Sequence, residues 1–427
     1  SWQEAGFGKP TISFLDRTSA YIYILYMLKE SILTLYKNIK ECRICGNPQL
    51  DLILELGEMA LTGIFPKTKS EKVPTGPLTL VKCNEACSND FCGLVQIKES
   101  YNPSIMYGQN YGYRSGLNKS MVDHLHSKVK NVLNFVLLKP DDIVVDIGSN
   151  DGTLLKGYPK EHSTLVGFDP AGEKFEKYYP DNIILIKDFF SSQAFRKKFG
   201  NKKAKIITSI SMFYDLEKPL DFVHDIYDML SEDGIWLFEQ SYMPAMLDSI
   251  SFDTICHEHL EYYRLKQIHW LMEKVGFRII DIEFNQTNGG SFSITVAKSG
   301  SSFLESPILK KLLSEEDEKG FNTFKPYDDF RNKVFQFKSN LRQHLDKIQN
   351  EKGLILGYGA STKGNVLLQF VDITSRDIPY IGEVNTDKFG SYTPGTLIPI
   401  IPEEEARKMN PDYFFILPWH FKEFILK

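Results

Sequence analysis

Apolar runs that stop at glycine turns recur along the chain and outline two α/β units. Residues 144–147 are apolar apart from Asp146 and lead into Gly148, Ser149, Asn150, Asp151 and Gly152, followed by Leu154 and Leu155. This predicts a buried parallel strand, a tight turn and the start of a helix. A second strand over 165–168 closes on Asp169, and a third over 183–186 leads into Lys187, Asp188, Phe189 and Phe190. Residues 205–210 and 234–239 supply a fourth and a fifth strand. Residues 285–296 hold a Gly-Gly turn and an alternating strand, expected at the sheet edge. The pattern over 300–349 is charged and helical, with 314–318 as a solvated turn. Residues 354–357 open the second unit, and 378–383, 396–401 and 413–417 predict its further strands. The fold class is therefore α/β. Residues 20–28 are apolar but too short to span a bilayer, which predicts a helix packed on the body.

Composition narrows the class without naming a chemistry. At 427 residues the chain should hold two or three domains. A hydrophobic share of 42% and a net charge of -5 point to a soluble globular protein with no nucleic-acid or membrane partner. No signal-peptide pattern is present, so the expected location is the cytoplasm. A monomer or weak oligomer is expected. The six cysteines are too sparse for a disulfide scaffold. Five of them fall between Cys42 and Cys92, in two short turns. Cys42, Cys45, Cys83 and Cys92 are the expected ligands of a structural zinc ion, with Cys87 as a spare. A four-thiolate site leaves no open position for catalysis.

The turn after residue 147 is D-x-G-x-x-x-G, which differs from the G-x-G-x-x-G dinucleotide pattern. It resembles the first motif of class I methyltransferases that use S-adenosylmethionine. Asp146, Gly148, Asn150 and Gly152 would line that cofactor, Asp169 would meet its ribose, and Asp188 with Phe189 would grip its adenine. Tyr111 and Tyr113 sit in a Tyr/Gly-rich stretch expected to fold over the site. Gln240 and Tyr242 follow the fifth strand, where polar groups should point into the cleft. Residues 253–263 hold the densest titratable cluster, with His257 and His259 flanking Glu258. The spacing lacks the H-E-x-x-H pairing of a metal helix, so an acid–base role fits better. In the second unit Ser361, Thr362 and Lys363 follow the glycines, an arrangement suited to a diphosphate.

Taken together, CRICG, CGLVQI, DIGSNDGTLL, EQSYMP, TICHEHLEYY, NGGSF, GYGASTKGN and ILPWHF resemble the sugar C-methyltransferases of deoxysugar biosynthesis. The resemblance runs from Cys42 to the end. It implies an N-terminal zinc module, a central methyltransferase domain and a C-terminal Rossmann-like domain, here over 41–100, 101–300 and 301–427 after an extension of 1–40. It also implies methylation at C3 of a nucleotide-linked 4-keto-6-deoxysugar through an enolate. By position His259 matches the base, Glu258 the neighbouring glutamate, and Tyr113 or Tyr111 the lid tyrosine. Gly357, Lys363 and Glu383 lie in the nucleotide-binding segments. Cys256 stands where members carry Tyr, Asp215 where they carry His, and Asn288 where His often precedes GGS. The proton relay must therefore differ. Methyl transfer to oxygen or nitrogen, and a zinc-bearing binding protein with a degenerate domain, are the competing expectations.

Overall fold

The computed structural model describes residues 35–427 apart from 89, 107–112, 160–162, 422–424 and 426–427. The expected helix over 20–28 and Tyr111 lie outside the described residues, as does the side chain of Cys87. Among the described residues no helix is long and apolar enough to cross a membrane.

The N-terminal strands are β1 (Tyr36–Asn38), β2 (Leu50–Ala60), β3 (Thr75–Cys83), β4 (Val95–Ile97) and β5 (Glu99–Tyr101). The central strands are β6 (Asp142–Ile147), β7 (Ser163–Phe168), β8 (Ile183–Ile186), β9 (Ala204–Ile210) and β10 (Leu230–Ser241). Then follow β11 (Glu261–Tyr262), β12 (Phe277–Asn285) and β13 (Ser291–Lys298). The last four are β14 (Ile355–Tyr358), β15 (Ile381–Glu383), β16 (Ile400–Pro402) and β17 (Tyr413–Ile416).

β6 to β10 form the parallel part of a seven-stranded sheet ordered β12-β13-β10-β9-β6-β7-β8. Chain order reverses beside β6, and a cleft opens there at the carboxyl ends of the strands. Period-two alternation explains the unbroken apolar runs. Val145, Val166, Ile207 and Phe238 enter one core, and Val144, Leu165, Ile206 and Leu237 the other. The C-terminal sheet is ordered β16-β15-β14-β17, all parallel. The N-terminal sheet is ordered β11-β4-β3-β2, so its last strand arrives from much later in the chain.

Three expectations are corrected. Among the described residues between β6 and β7 there is no α-helix; Leu155–Gly157 forms only a short 3-10 turn. Leu154 and Leu155 are apolar because they pack in the core. Gly157 and Pro159 end the turn, and a side chain at Gly157 would meet His126 at 2.9 Å. The strand after the Gly-Gly turn is not the edge: β13 lies between β10 and β12 and is buried along its whole length. Residues 314–318 belong to the helix Leu309–Glu318, not to a solvated turn. Glu316 is buried there, accepting from Leu265 N at 2.7 Å, Lys266 N at 3.1 Å and Tyr242 Oη at 2.8 Å.

Candidate active site

A cavity of about 760 Å³ opens where β6, β7 and β9 end. Its walls come from the glycine turn after β6, the segment around residues 256–259, Asn288, Ser361–Lys363 and the Pro418/His420 corner. One hollow therefore draws on both α/β units.

The turn after β6 is held by its own backbone. Gly148 has φ +71°, a conformation that suits a residue without Cβ, and its N–H donates to Phe168 O at 2.8 Å. Asn150 N donates to Asp169 Oδ2 at 2.7 Å, and Ala171 N to Asp169 Oδ1 at 2.8 Å. The Asn150 side chain accepts from Ser115 N at 3.0 Å and donates to Tyr113 O at 3.1 Å, tying the segment before the Lys119–Phe135 helix to the turn. Gly152, at φ +72°, lets the Tyr179 ring approach. Asp146 is buried and accepts from Thr208 Oγ1 at 2.6 Å; burial pushes its carboxyl up to about 7. Phe189 and Phe190 line the cavity, and Phe190 packs edge-on against Phe168 at 5.2 Å. Asp188 does not join them. It is exposed and turned to its neighbour's amide, Phe189 N, at 2.8 Å.

Tyr113, Asp215, Cys256, Glu258 and His259 all line the cavity. The two histidines part company. His257 is buried with its ring edge-on to Tyr101 at 4.7 Å, away from the hollow. His259 Nδ1 lies 2.9 Å from Thr254 O, and a carbonyl oxygen only accepts, so this nitrogen carries the proton and Nε2 is the acceptor. Tyr214 flanks the ring at 4.5 Å. Burial, and then the Lys363 charge, lower the imidazole to about 4. Burial raises the Glu258 carboxyl, opposed in part by donors from Cys256 and Thr62.

Lys363 reaches the same hollow and donates to Asn288 O at 3.1 Å; Asn288 Nδ2 lies 3.4 Å from Ser211 Oγ. Burial lowers its ammonium pKa. Four expected substrate residues are not brought to the walls. Tyr242 is engaged by Glu316, and Gln240 is buried in β10, whose carboxyl end β13 covers. Glu239 shows what that end holds: His124, Lys128, Asn285 and Ser293 surround its carboxylate. Gly357 packs under the Ile381 side chain. Glu383 braces its own turn, accepting from Ala360 N at 2.8 Å and Asn385 N at 2.9 Å. His420, in the ILPWHF stretch, reaches the cavity, and Trp419 beside it donates to Asp253 Oδ2 at 2.8 Å.

Away from the cavity, Cys42, Cys45, Cys83 and Cys92 place their sulfurs within 4.8 Å of one another. The pairs Cys42–Cys92 and Cys45–Cys83 are each 3.5 Å apart. Tetrahedral zinc with bonds of about 2.3 Å needs sulfurs about 3.8 Å apart, so the donor set fits. Asn47 Nδ2 lies 3.4 Å from Cys83 Sγ, a second contact that orients the thiolate.

Three family models match the chain in order: a zinc binding domain over 42–107, a methyltransferase domain over 121–282 and a C-methyltransferase C-terminal domain over 286–427. The C-methyltransferase NovU of Streptomyces niveus is 25% identical over 386 residues, which is 90% of each chain. Among solved structures, magnesium protoporphyrin IX methyltransferase from Synechocystis PCC 6803 with bound SAM matches 42% of this chain and 79% of its own, at 12% identity and TM-score 0.31. The plantazolicin methyltransferase BpumL in complex with SAH matches 41% and 82%, at 12% identity and TM-score 0.33. The ordered models, the NovU relative and the thiol cluster carry the assignment, with S-adenosylmethionine and zinc as cofactors. With a methyltransferase domain, a C-methyltransferase C-terminal domain and a C-methyltransferase relative along 90% of its length, the chain is an S-adenosylmethionine-dependent C-methyltransferase.

Proposed function

We propose that this protein methylates a carbon, C3, of a nucleotide-linked 4-keto-6-deoxysugar. The observation that carries the reading is the single cavity in which the glycine turn after β6, the acceptor nitrogen of His259 and the Lys363 ammonium meet. Asp146, Gly148, Asn150, Asp169 and Phe189 line the cavity and would hold S-adenosylmethionine, which supplies an electrophilic methyl group when bound; Gly152, expected among them, lies outside the lining and packs against Tyr179. A carbon beside a ketone is acidic enough for a side-chain base to deprotonate. His259 Nε2 takes that proton, and Thr254 O keeps the ring in the tautomer that can do so. An imidazole at about 4 is a weak base, so the enolate oxygen needs help from a nearby positive charge. Lys363 lines the same cavity as His259, with its ammonium on Asn288 O, and can supply that charge. Tyr113, Asp215 and Cys256 complete the walls. The second α/β unit, with 301–427 as its domain, brings the nucleotide sugar, and the four cysteines hold zinc.

Incubation with S-adenosylmethionine and a panel of nucleotide 4-ketosugars should give a product heavier by one methyl, with the new carbon bonded to carbon by NMR. A methyl on oxygen or nitrogen, or turnover of sugars lacking the ketone, would defeat the proposal.

Asp146 gives a separate expectation. Its buried carboxyl titrates at about 7, and a cation arriving beside it favours the ionised form. Affinity for S-adenosylmethionine should therefore rise as pH approaches that value from below and level off above it. Asp146→Asn should flatten the curve, as calorimetric titration would show. An unchanged slope in the variant would remove Asp146 from contact with the cofactor's charge.

A further inference from the structure

Glu258 has a neighbour far from it in sequence. β2 ends at Ala60, and the loop that follows passes the Glu258 carboxylate. Thr62 is fully buried and points its hydroxyl at Oε2 from 3.5 Å. A methyl group added at Gly63 would lie 2.7 Å from Glu258 Oε1 and 3.9 Å from its Cδ, and would meet nothing else within 4 Å beyond its chain neighbours. The loop is itself held from the C-terminal unit. Gln369 Oε1 accepts from Ala60 N at 2.8 Å, and its Nε2 donates to Ala60 O at 3.2 Å. Asn365, buried, donates Nδ2 to Thr62 O at 2.8 Å. Both residues stand on the helix Thr362–Phe370, whose first turn carries Lys363 into the cavity.

We propose that Thr62 and Gly63 are positioning residues for the Glu258 carboxylate, held in register by Asn365 and Gln369. The hydroxyl orients one oxygen, and the bare Cα leaves room for the other. The helix that faces the substrate thereby also sets the carboxylate. The inference rests on reading Glu258, which lines the cavity beside His259, as the group that holds a substrate hydroxyl next to the base.

Gly63 offers a clean probe. It does not adopt the left-handed conformation, so alanine meets no backbone strain there. The added methyl meets only the tip of a flexible side chain, which can turn aside at little cost to folding. Fold stability is therefore spared while the carboxylate is displaced.

Gly63→Ala, Thr62→Val and Thr62→Ser should be measured beside Glu258→Gln, using the ketosugar that the wild type methylates. The first two are expected to lower kcat about tenfold, the worth of one hydrogen bond to a charged group, with KM within about twofold. Melting temperatures should stay within about 2 °C. Loss of the hydroxyl donor raises the Glu258 carboxyl, so the Glu258 inflection in the rate profile, separate from that of His259, should move to higher pH in Thr62→Val and return in Thr62→Ser. A crystal structure of Gly63→Ala should show the carboxylate rotated. Wild-type kcat and pH profile in Thr62→Val beside a crippled Glu258→Gln, or an unmoved carboxylate in Gly63→Ala, would overturn the inference. Full activity of Glu258→Gln would instead refute the catalytic role of Glu258, and the Gly63→Ala crystal would still decide the positioning.

Discussion

Replacing His259 with glutamine is expected to lower kcat by about 10²–10⁴-fold, the share a positioned base contributes. Affinity for S-adenosylmethionine should stay within severalfold of wild type, because the ring sits on the Cys256–His259 segment and not on the glycine turn after β6. The Nδ1–H bond to Thr254 O leaves Nε2 as the one ring atom able to take a proton. Glutamine fills similar space without a basic nitrogen. The sign of the pH dependence follows from the ring's environment. Burial first and Lys363 second hold the imidazole at about 4, so it is neutral and able to accept above that pH. Removing the charge with Lys363→Met should shift the acid limb assigned to His259 upward. The same shift enters stability. The folded value lies below the unfolded value of about 6.5, so the folded state binds fewer protons between the two. Its contribution to stability is present above the unfolded value and is lost as pH falls through the folded one. Steady-state kinetics and calorimetric titration of the variant test the role, and a His259→Gln enzyme within severalfold of wild type would remove it.

Cys83→Ser is expected to release zinc and to lower the melting temperature by more than about 10 °C. Structural zinc in small domains is worth about 10–16 kcal/mol, against a total folding margin of about 5–15 kcal/mol. Cys42, Cys83 and Cys92 are buried in the same core cluster as Phe213, Tyr263 and Leu265, so the loss is not confined to a surface knuckle. β4 lies just after Cys92 and pairs with β11, which lies just after His259. Gln267 Nε2 also donates to Cys92 O at 2.7 Å. Loosening the thiol cluster should therefore disturb the His259 segment and depress kcat along with the melting temperature. Elemental analysis should fall from about one zinc per chain. A variant that keeps its zinc and melts with the wild type would show that Cys83 is not a ligand.

Much of the framework was legible in the sequence. The strand runs of the central sheet and the positive-φ glycines at Gly148 and Gly152 appear where periodicity and turn chemistry put them. The errors have local causes too. Leu154 and Leu155 look like a helix start because apolar pairs serve helices and cores alike. Residues 314–318 look solvated because charge is common on turns, yet Glu316 is buried to cap the backbone of Leu265 and Lys266. Nothing near Thr62 or Gly63 in the chain marks them, since their partner is Glu258.

What this sequence determined by itself was whatever neighbours along the chain encode: alternation of apolar residues, glycine where φ must be positive, and cysteines spaced to share a metal. What the tertiary structure alone decided was direction. His259 rather than His257 faces the hollow, Gln240 and Tyr242 turn away from it, and Lys363 lines it together with His259. Side-chain direction at a site depends on contacts hundreds of residues apart, such as β11 joining β4 and Asn365 holding Thr62, and no local pattern carries that information.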